Sequence, residues 1–314
     1  MARAARSVRR RPLLAAAVGL MCGCDCESAR RRNVSTPLRS RPDAAVSTDS
    51  GLWREISFNA SEHYAEPQHA AVMLQPGRPL LVALHGAGEA RRGLETGARG
   101  WRDDYDLERA HRRLGEPPLE RTDLLDFVRD ERLAQLNASL KAEPYRGLTV
   151  ACPFTPSRVD RSVRGAQPFA GFVTKVLIPK VRSIASLEPG RATTGIDGVS
   201  MGGRLALQIG LSHPEIFGAV GALQPAIAES EADSLADLAA RAAARAPQKL
   251  RLVSSDGDPF LAAVRALSKA LSRKRVDHQV VVTPGPHDYV WNRGPGSFEM
   301  LMWHERALRG ISQP

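Results

Sequence analysis
The sequence predicts an α/β fold, a mostly parallel central sheet with helices on both faces. Three observations point there. Short apolar runs alternate with longer segments of helical spacing, the pattern of a parallel sheet wound with helices. Of 314 residues, 43% are hydrophobic but only 5% aromatic, so a sizeable core is filled by Leu, Val, Ala and Ile, as suits strands buried on both faces. Beyond Cys26 the only cysteine is Cys152, so packing and not a disulfide framework must hold the fold.

Taken in order, the chain opens with the basic stretch MARAARSVRRR and the apolar run PLLAAAVGLMCG. That run is too short to span a bilayer as a mature helix, and 1–24 is expected to be an export signal. Cys24 follows the small residue Gly23, the setting of a bacterial lipoprotein site. The protein is therefore expected to be exported, either free in the periplasm or medium or attached to a membrane through an N-terminal lipid. Residues 25–50 are polar and lack an apolar period, so they are expected to form a disordered tether. One domain is expected over 51–314.

Within it, strands are expected at Leu52–Phe58, Ala71–Leu74, Leu80–Leu84, Leu148–Ala151, Gly195–Val199, Gly218–Leu223, Leu250–Ser254 and Gln279–Val282. Helices are expected at Phe169–Ser183, Met201–Ser212, Leu261–Ser272 and Ser297–Leu308. Between about 100 and 147 the chain is rich in Arg, Asp and Glu, with helical spacing in TDLLDFVRDERLAQL. This helical insert between two core strands has two readings, a solvated helical face or a wall of the site's mouth.

The formal charge is +10, but residues 1–50 alone hold ten Arg against Asp25, Glu27, Asp43 and Asp49. The remainder is mildly basic, with no basic stripe interleaved with aromatics, which argues against a nucleic-acid partner.

The sharpest motif is Gly198-Val199-Ser200-Met201-Gly202, a Gly-x-Ser-x-Gly. An apolar strand runs into it and an amphipathic helix follows without a gap. A serine on so tight a strand-to-helix turn sits in strained backbone with its hydroxyl pushed out above the sheet. Glycine at 198 and 202 removes the Cβ atoms that would collide there, and the helix start aims the Met201 amide at developing negative charge. Upstream, His85-Gly86-Ala87-Gly88 directly follows another apolar strand. It offers the Ala87 amide as a second oxyanion donor, with His85 ordering the loop.

A serine hydroxyl needs a base, and the base an anion to orient it. Of the four histidines after Ser200, His213 ends a helix, His278 opens a strand and His304 lies mid-helix. Only His287 follows the last strand on a Gly/Pro-rich loop, as a base reaching across to Ser200 should. The acid is expected between Ser and His, just after a strand. LRLVSSDGDPF offers Asp258, which precedes Pro259, with Asp256 as runner-up. Tyr289 and Trp291 are candidates to line the substrate pocket.

In these stretches, GIDGVSMGGRLALQIGLSHPEIFGAVGALQPAI, SSDGDPF and PGPHDYVW, the chain resembles the α/β-hydrolase esterases that include enterochelin esterases, S-formylglutathione hydrolases and feruloyl esterases. The resemblance runs in motif order over roughly 80–310. It implies a Ser200, Asp258, His287 triad and cleavage of a small-molecule ester or thioester, with no metal and no organic cofactor. Ser254-Ser255 stands where that group often carries glycine, and the 100–147 insert is additional to it. Two other functions fit the sequence: an acyltransferase of the same fold, and a surface-binding protein that keeps the fold without catalysis.

Overall fold
Alternation sets the sheet. In the computed structural model the described residues are 44–48, 51–157 and 160–313. Their strands are β1 (Ala44–Thr48), β2 (Trp53–Phe58), β3 (Gln68–Met73), β4 (Leu80–Leu84), β5 (Thr149–Pro153), β6 (Thr194–Gly198), β7 (Ala219–Leu223), β8 (Lys249–Ser255) and β9 (Gln279–Thr283). Along β4, Leu80, Val82 and Leu84 enter one hydrophobic core while Leu81 and Ala83 enter another on the opposite face, as successive strand side chains must. The strands order as β1-β2-β3-β5-β4-β6-β7-β8-β9. The three leading strands and β5 pair antiparallel, and everything from β5 through β4 to β9 is parallel.

Helices cover both faces, as the fold class requires. One core packs the sheet against Val163–Phe172, Met201–Ser212, Ala232–Arg245 and Leu261–Arg273. The helix expected at Phe169–Ser183 starts earlier, because the Ser162 hydroxyl caps it by accepting the Gly165 N–H at 3.1 Å. It then runs through a π-turn at Val173–Leu177 into Ile178–Ala185. Ala232–Arg245 was not expected; it meets the sheet through Leu235 and alanines 232, 236, 239 and 242.

The 100–147 insert packs into the domain, and its Tyr105 lines the cleft beside Ser200, while the helix Asp130–Ala142 buries only Leu136 and Leu140. The insert's Trp101, Tyr105, Leu107, Ala110, Leu114, Leu124, Leu136 and Leu140 are buried with the terminal helix Ser297–Leu308 in the second core. Some of the charges that suggested solvent are tied to the packed body of the domain. Arg109 donates to the carbonyls of Asp123 and Arg293 at 3.1 and 2.9 Å, and Arg132 to Glu299 at 2.8 Å.

Two further departures occur at the first strands. β3 begins three residues before the expected Ala71 because Gln68 and His69 pair with Phe58 and Ser57. His69 is buried there, bonded to Glu55 at 2.9 Å and Ser57 at 3.0 Å. β1 falls inside the stretch expected as a disordered tether and pairs with β2 from Ala44↔Phe58 to Thr48↔Arg54. Its sequence AAVST is short with only Val46 and Thr48 β-branched, and the free edge of β2 supplies the backbone partners that propensity alone could not predict. The expected export signal, Cys24 and the rest of the tether lie outside the described residues.

Candidate active site
The sheet topology brings distant motifs together. β4 and β6 are neighbours with Leu84 opposite Gly198, so the His85–Gly88 loop and the Ser200 turn leave the same sheet edge side by side. β8 and β9 are likewise in register at Ser255 and Thr283, and the next residues carry Asp258 and His287. All four loops therefore gather at the carboxyl ends of adjacent parallel strands, where open α/β sheets build their sites.

Ser200 has φ 57° and ψ −117°, a left-handed conformation that costs a non-glycine residue free energy and persists only where its surroundings dictate it. They do so here through backbone bonds. Ser200 N–H donates to Leu223 O at 2.9 Å, Val199 N–H to Leu84 O at 3.0 Å, and Ser200 O accepts from Arg204 and Ala226. A Cβ at Gly198 would lie 2.6 Å from the Gly202 backbone, and one at Gly202 would overlap the Leu84 carbonyl oxygen. Glycine at both positions is thus required by close backbone approach.

The three expected side chains meet. His287 Nε2 lies 3.0 Å from Ser200 Oγ, and His287 Nδ1 lies 2.9 Å from Asp258 Oδ1. Asp258 is 6% exposed and fully engaged, since Oδ1 also accepts the Phe260 N–H at 3.0 Å and Oδ2 accepts the Ser254 hydroxyl at 2.6 Å. The runner-up Asp256 is turned away, accepting the Gly285 N–H and pairing with Arg129 on the surface. Met201 and Ala87 each open a helix, so their N–H groups have no intrahelical acceptor. Both residues line a cavity of about 250 Å³ with Ser200.

His85 orders the loop as expected. It is fully buried, its Nε2 accepts the Thr155 N–H at 2.8 Å, and its Nδ1–H donates to Gly86 O at 2.9 Å. This fixes the neutral tautomer. Burial pushes the ring down to about 4, against the partial help of the Gly86 carbonyl. A neutral buried histidine favours the folded state fully above the ordinary histidine value near 6.5, and that contribution is lost as pH falls towards 4, because the unfolded chain binds the proton first. Between pH 7 and pH 4 the loss is expected to be on the order of 3 kcal/mol. Urea unfolding at both pH values checks this: in His85→Gln the difference between them should shrink by about that amount, and an unchanged difference would contradict it.

Of the aromatic pair, Tyr289 and Trp291 behave differently. Tyr289 is 42% exposed and lines a second cleft of about 200 Å³, together with Ala87, Ser200, His287 and Asn292. Trp291 does not line substrate space. It is buried under the His287 loop, donating to Thr283 Oγ1 at 2.8 Å. The Asp288 carboxylate caps the short helix Tyr289–Trp291 by accepting the Trp291 N–H, and that turns Trp291 inward and Tyr289 outward.

Several site residues were not foreseen. Gln224, buried with φ 42°, donates to Ser255 Oγ at 2.7 Å and to Pro286 O at 2.9 Å, tying the neighbour of the Ser200 turn to the residue before His287. The paired serines that looked like a departure have roles: Ser254 holds the acid and Ser255 the His287 loop. Glu89, beside Ala87, is buried at the cleft. Burial opposes its ionisation, but hydrogen bonds from the Tyr105 and Tyr289 phenols outweigh this and hold its carboxyl below the usual range. The larger cavity is walled by Pro156, Ser157, Leu205, Gln208 and Phe260, with buried Arg204 neutralised by Glu231.

Residues 157–295 match the family model described as "Putative esterase". A search of curated protein sequences returns no match. Among solved structures, a ferulic acid esterase superposes with a TM-score of 0.60 at 15% identity, covering 85% of this chain and 99% of that one. An S-formylglutathione hydrolase from Staphylococcus aureus gives 0.56 at 16%, covering 83% and 99%. The enterobactin esterase of Shigella flexneri gives 0.54 at 18%, covering 81% and 59%. At such identities the structural likeness is one of fold.

Proposed function
We propose that this chain, whose residues 157–295 match a putative-esterase family model, is a serine hydrolase of the α/β-hydrolase fold that hydrolyses small carboxylic esters through an acyl-enzyme on Ser200. The observation that carries the reading is the unbroken relay from Ser200 Oγ through His287 to Asp258, at 3.0 and 2.9 Å.

In the proposed reaction, His287 Nε2 takes the Ser200 proton as Oγ attacks the ester carbonyl carbon. The Ala87 and Met201 amides hold the oxyanion, and Asp258 steadies the imidazolium. Collapse breaks the bond to the alcohol oxygen, which takes the proton from His287. Water, deprotonated by the same nitrogen, then attacks the acyl-enzyme and releases the acid.

The cavities support a division of labour. His287 must protonate the departing alcohol, and it lines the cleft that also holds Tyr289, so that cleft takes the leaving group. The acyl group occupies the larger cavity, whose volume of about 250 Å³ lies just below the range of drug-sized sites, about 300–1,000 Å³. Its buried cation Arg204 is already paired with Glu231, and Asp160 and Arg161, which also line it, carry opposite charges, which favours a small acyl group with no net charge. The N-terminal pattern ending at Cys24 supports an exported, lipid-anchored enzyme.

One assay tests both parts. Fractions of bacteria making the full chain are given p-nitrophenyl esters of increasing acyl length, with and without an added alcohol. Short neutral acyl chains should be cleaved best and free acid should be the main product, with activity sedimenting with membranes unless Cys24→Ser is introduced. A preference for long chains, acyl transfer to the alcohol as the main outcome, or soluble activity from the native chain would each overturn the corresponding part.

A further inference from the structure
Three residues before Ser200 the sheet buries a charged group. Asp197 is 1% exposed and His304, from the terminal helix, is wholly buried. His304 Nε2–H donates to Asp197 Oδ2 at 2.9 Å, and Asp197 Oδ1 accepts the N–H of Gly198 at 2.7 Å. His304 Nδ1 is buried without a hydrogen-bond partner among the described residues, and burial holds the ring below its ordinary value. A neutral ring with its hydrogen on Nε2 satisfies both facts, because a protonated one would bury a second N–H without an acceptor.

The surrounding strands make room for this pair. A Cβ at Gly195 of β6 would come 2.6 Å from His304 Nδ1, and one at Gly221 of β7 would overlap the Asp197 carboxylate. Two adjacent strands thus lack side chains where the pair sits. An apolar pair of similar volume would cost less to bury, but it could not hold the Gly198 N–H. Gly198 is the first residue of the Ser200 turn, and β6 pairs with β7 only at Gly195 and Ile196 and again at Val199. β4 holds the other edge of β6 through Leu84↔Gly198, and on the β7 side the carboxylate supplies the partner for the Gly198 N–H.

The helix that supplies His304 is pinned a second time, by Arg251 of β8 donating to Glu299 Oε2 at 2.9 Å. β8 leads to Asp258, and the segment before the helix carries His287. One helix therefore refers the strand of the nucleophile to the strand of the acid.

We infer that Asp197 and His304 are positioning residues, holding the exit of β6 so that Ser200 Oγ stays within reach of His287. The inference rests on Ser200 being the nucleophile. In His304→Leu, assayed well below its melting temperature, kcat on an activated ester should fall about ten- to a hundred-fold, as small misplacements do. KM should stay within about twofold, since neither residue contacts substrate. Inactivation by a fluorophosphonate should slow by the same factor as kcat. His304→Gln, which keeps a donor near the position of Nε2, should recover most of the loss. If His304→Leu does not fold, His304→Asn, polar but too short to reach Asp197, takes its place with the same expectations. A folded variant with native kcat, or a His304→Gln enzyme as slow as the Leu or Asn one, would overturn the inference while leaving Ser200 labelling intact. A native chain whose Ser200 takes up no fluorophosphonate would overturn the nucleophile itself.

Discussion
Replacing Ser200 with Ala is expected to lower kcat on an activated ester by roughly 10⁶-fold, the scale on which serine hydrolases lose their nucleophile, while the chain still folds. The two halves of this expectation have separate causes. Turnover depends on Oγ, the one atom at the meeting point of both cavities that lies 3.0 Å from His287 Nε2. Folding does not depend on it. The backbone at position 200 is held by bonds to Leu223, Arg204 and Ala226, and alanine keeps the same Cβ, so the strain at φ 57° is neither relieved nor increased. Steady-state kinetics and thermal unfolding of the same preparation check it. Residual activity within tenfold of native would show that another group attacks the ester.

Gly202→Ala should damage fold and chemistry together. Its Cβ would overlap the Leu84 carbonyl oxygen and sit 2.6 Å from that of His85. Both are backbone atoms at the end of β4, so no side-chain rotation relieves the clash. Overpacking of this kind costs about 1–3 kcal/mol and occasionally more. The displaced segment is the one that presents the Ala87 amide, so kcat should also fall by about 10²–10³-fold, the effect of losing an oxyanion donor. Urea unfolding and ester kinetics give the two numbers. A variant of native stability and activity would mean that the β4 loop and the nucleophile helix are not in the close contact described above.

The meeting of Ser200, His287 and Asp258 was legible in the sequence because each residue sits on a turn that announces itself locally. Ser200 and Ala87 follow apolar strands on glycine-bearing turns, and His287 and Asp258 come in the chain order that parallel strands impose. What stayed hidden depends on which side of a short element a residue finally faces. Trp291 and Tyr289 were equivalent candidates until the Asp288 cap set the rotation of their helical turn. The cavity walls come from five separated segments, around Ala87, Pro156, Arg204, Ala226 and Phe260, that no local pattern connects. Asp197 and His304 are 107 residues apart, and His304 read as an ordinary mid-helix residue. The 100–147 insert misled for a different reason. Arg109 and Arg132 bond to a backbone carbonyl and to the buried Glu299 carboxylate, so a charge there does not by itself mark solvent.

The most direct measurement is to mix the native chain with a p-nitrophenyl ester, quench in acid within the first turnovers, and locate the acyl mass by peptide mass spectrometry. The account predicts an acyl group on the peptide containing Ser200, at the side chain of that residue, formed at least as fast as steady-state turnover. Turnover with no acylated peptide, or with the acyl group carried on any other side chain, would contradict it.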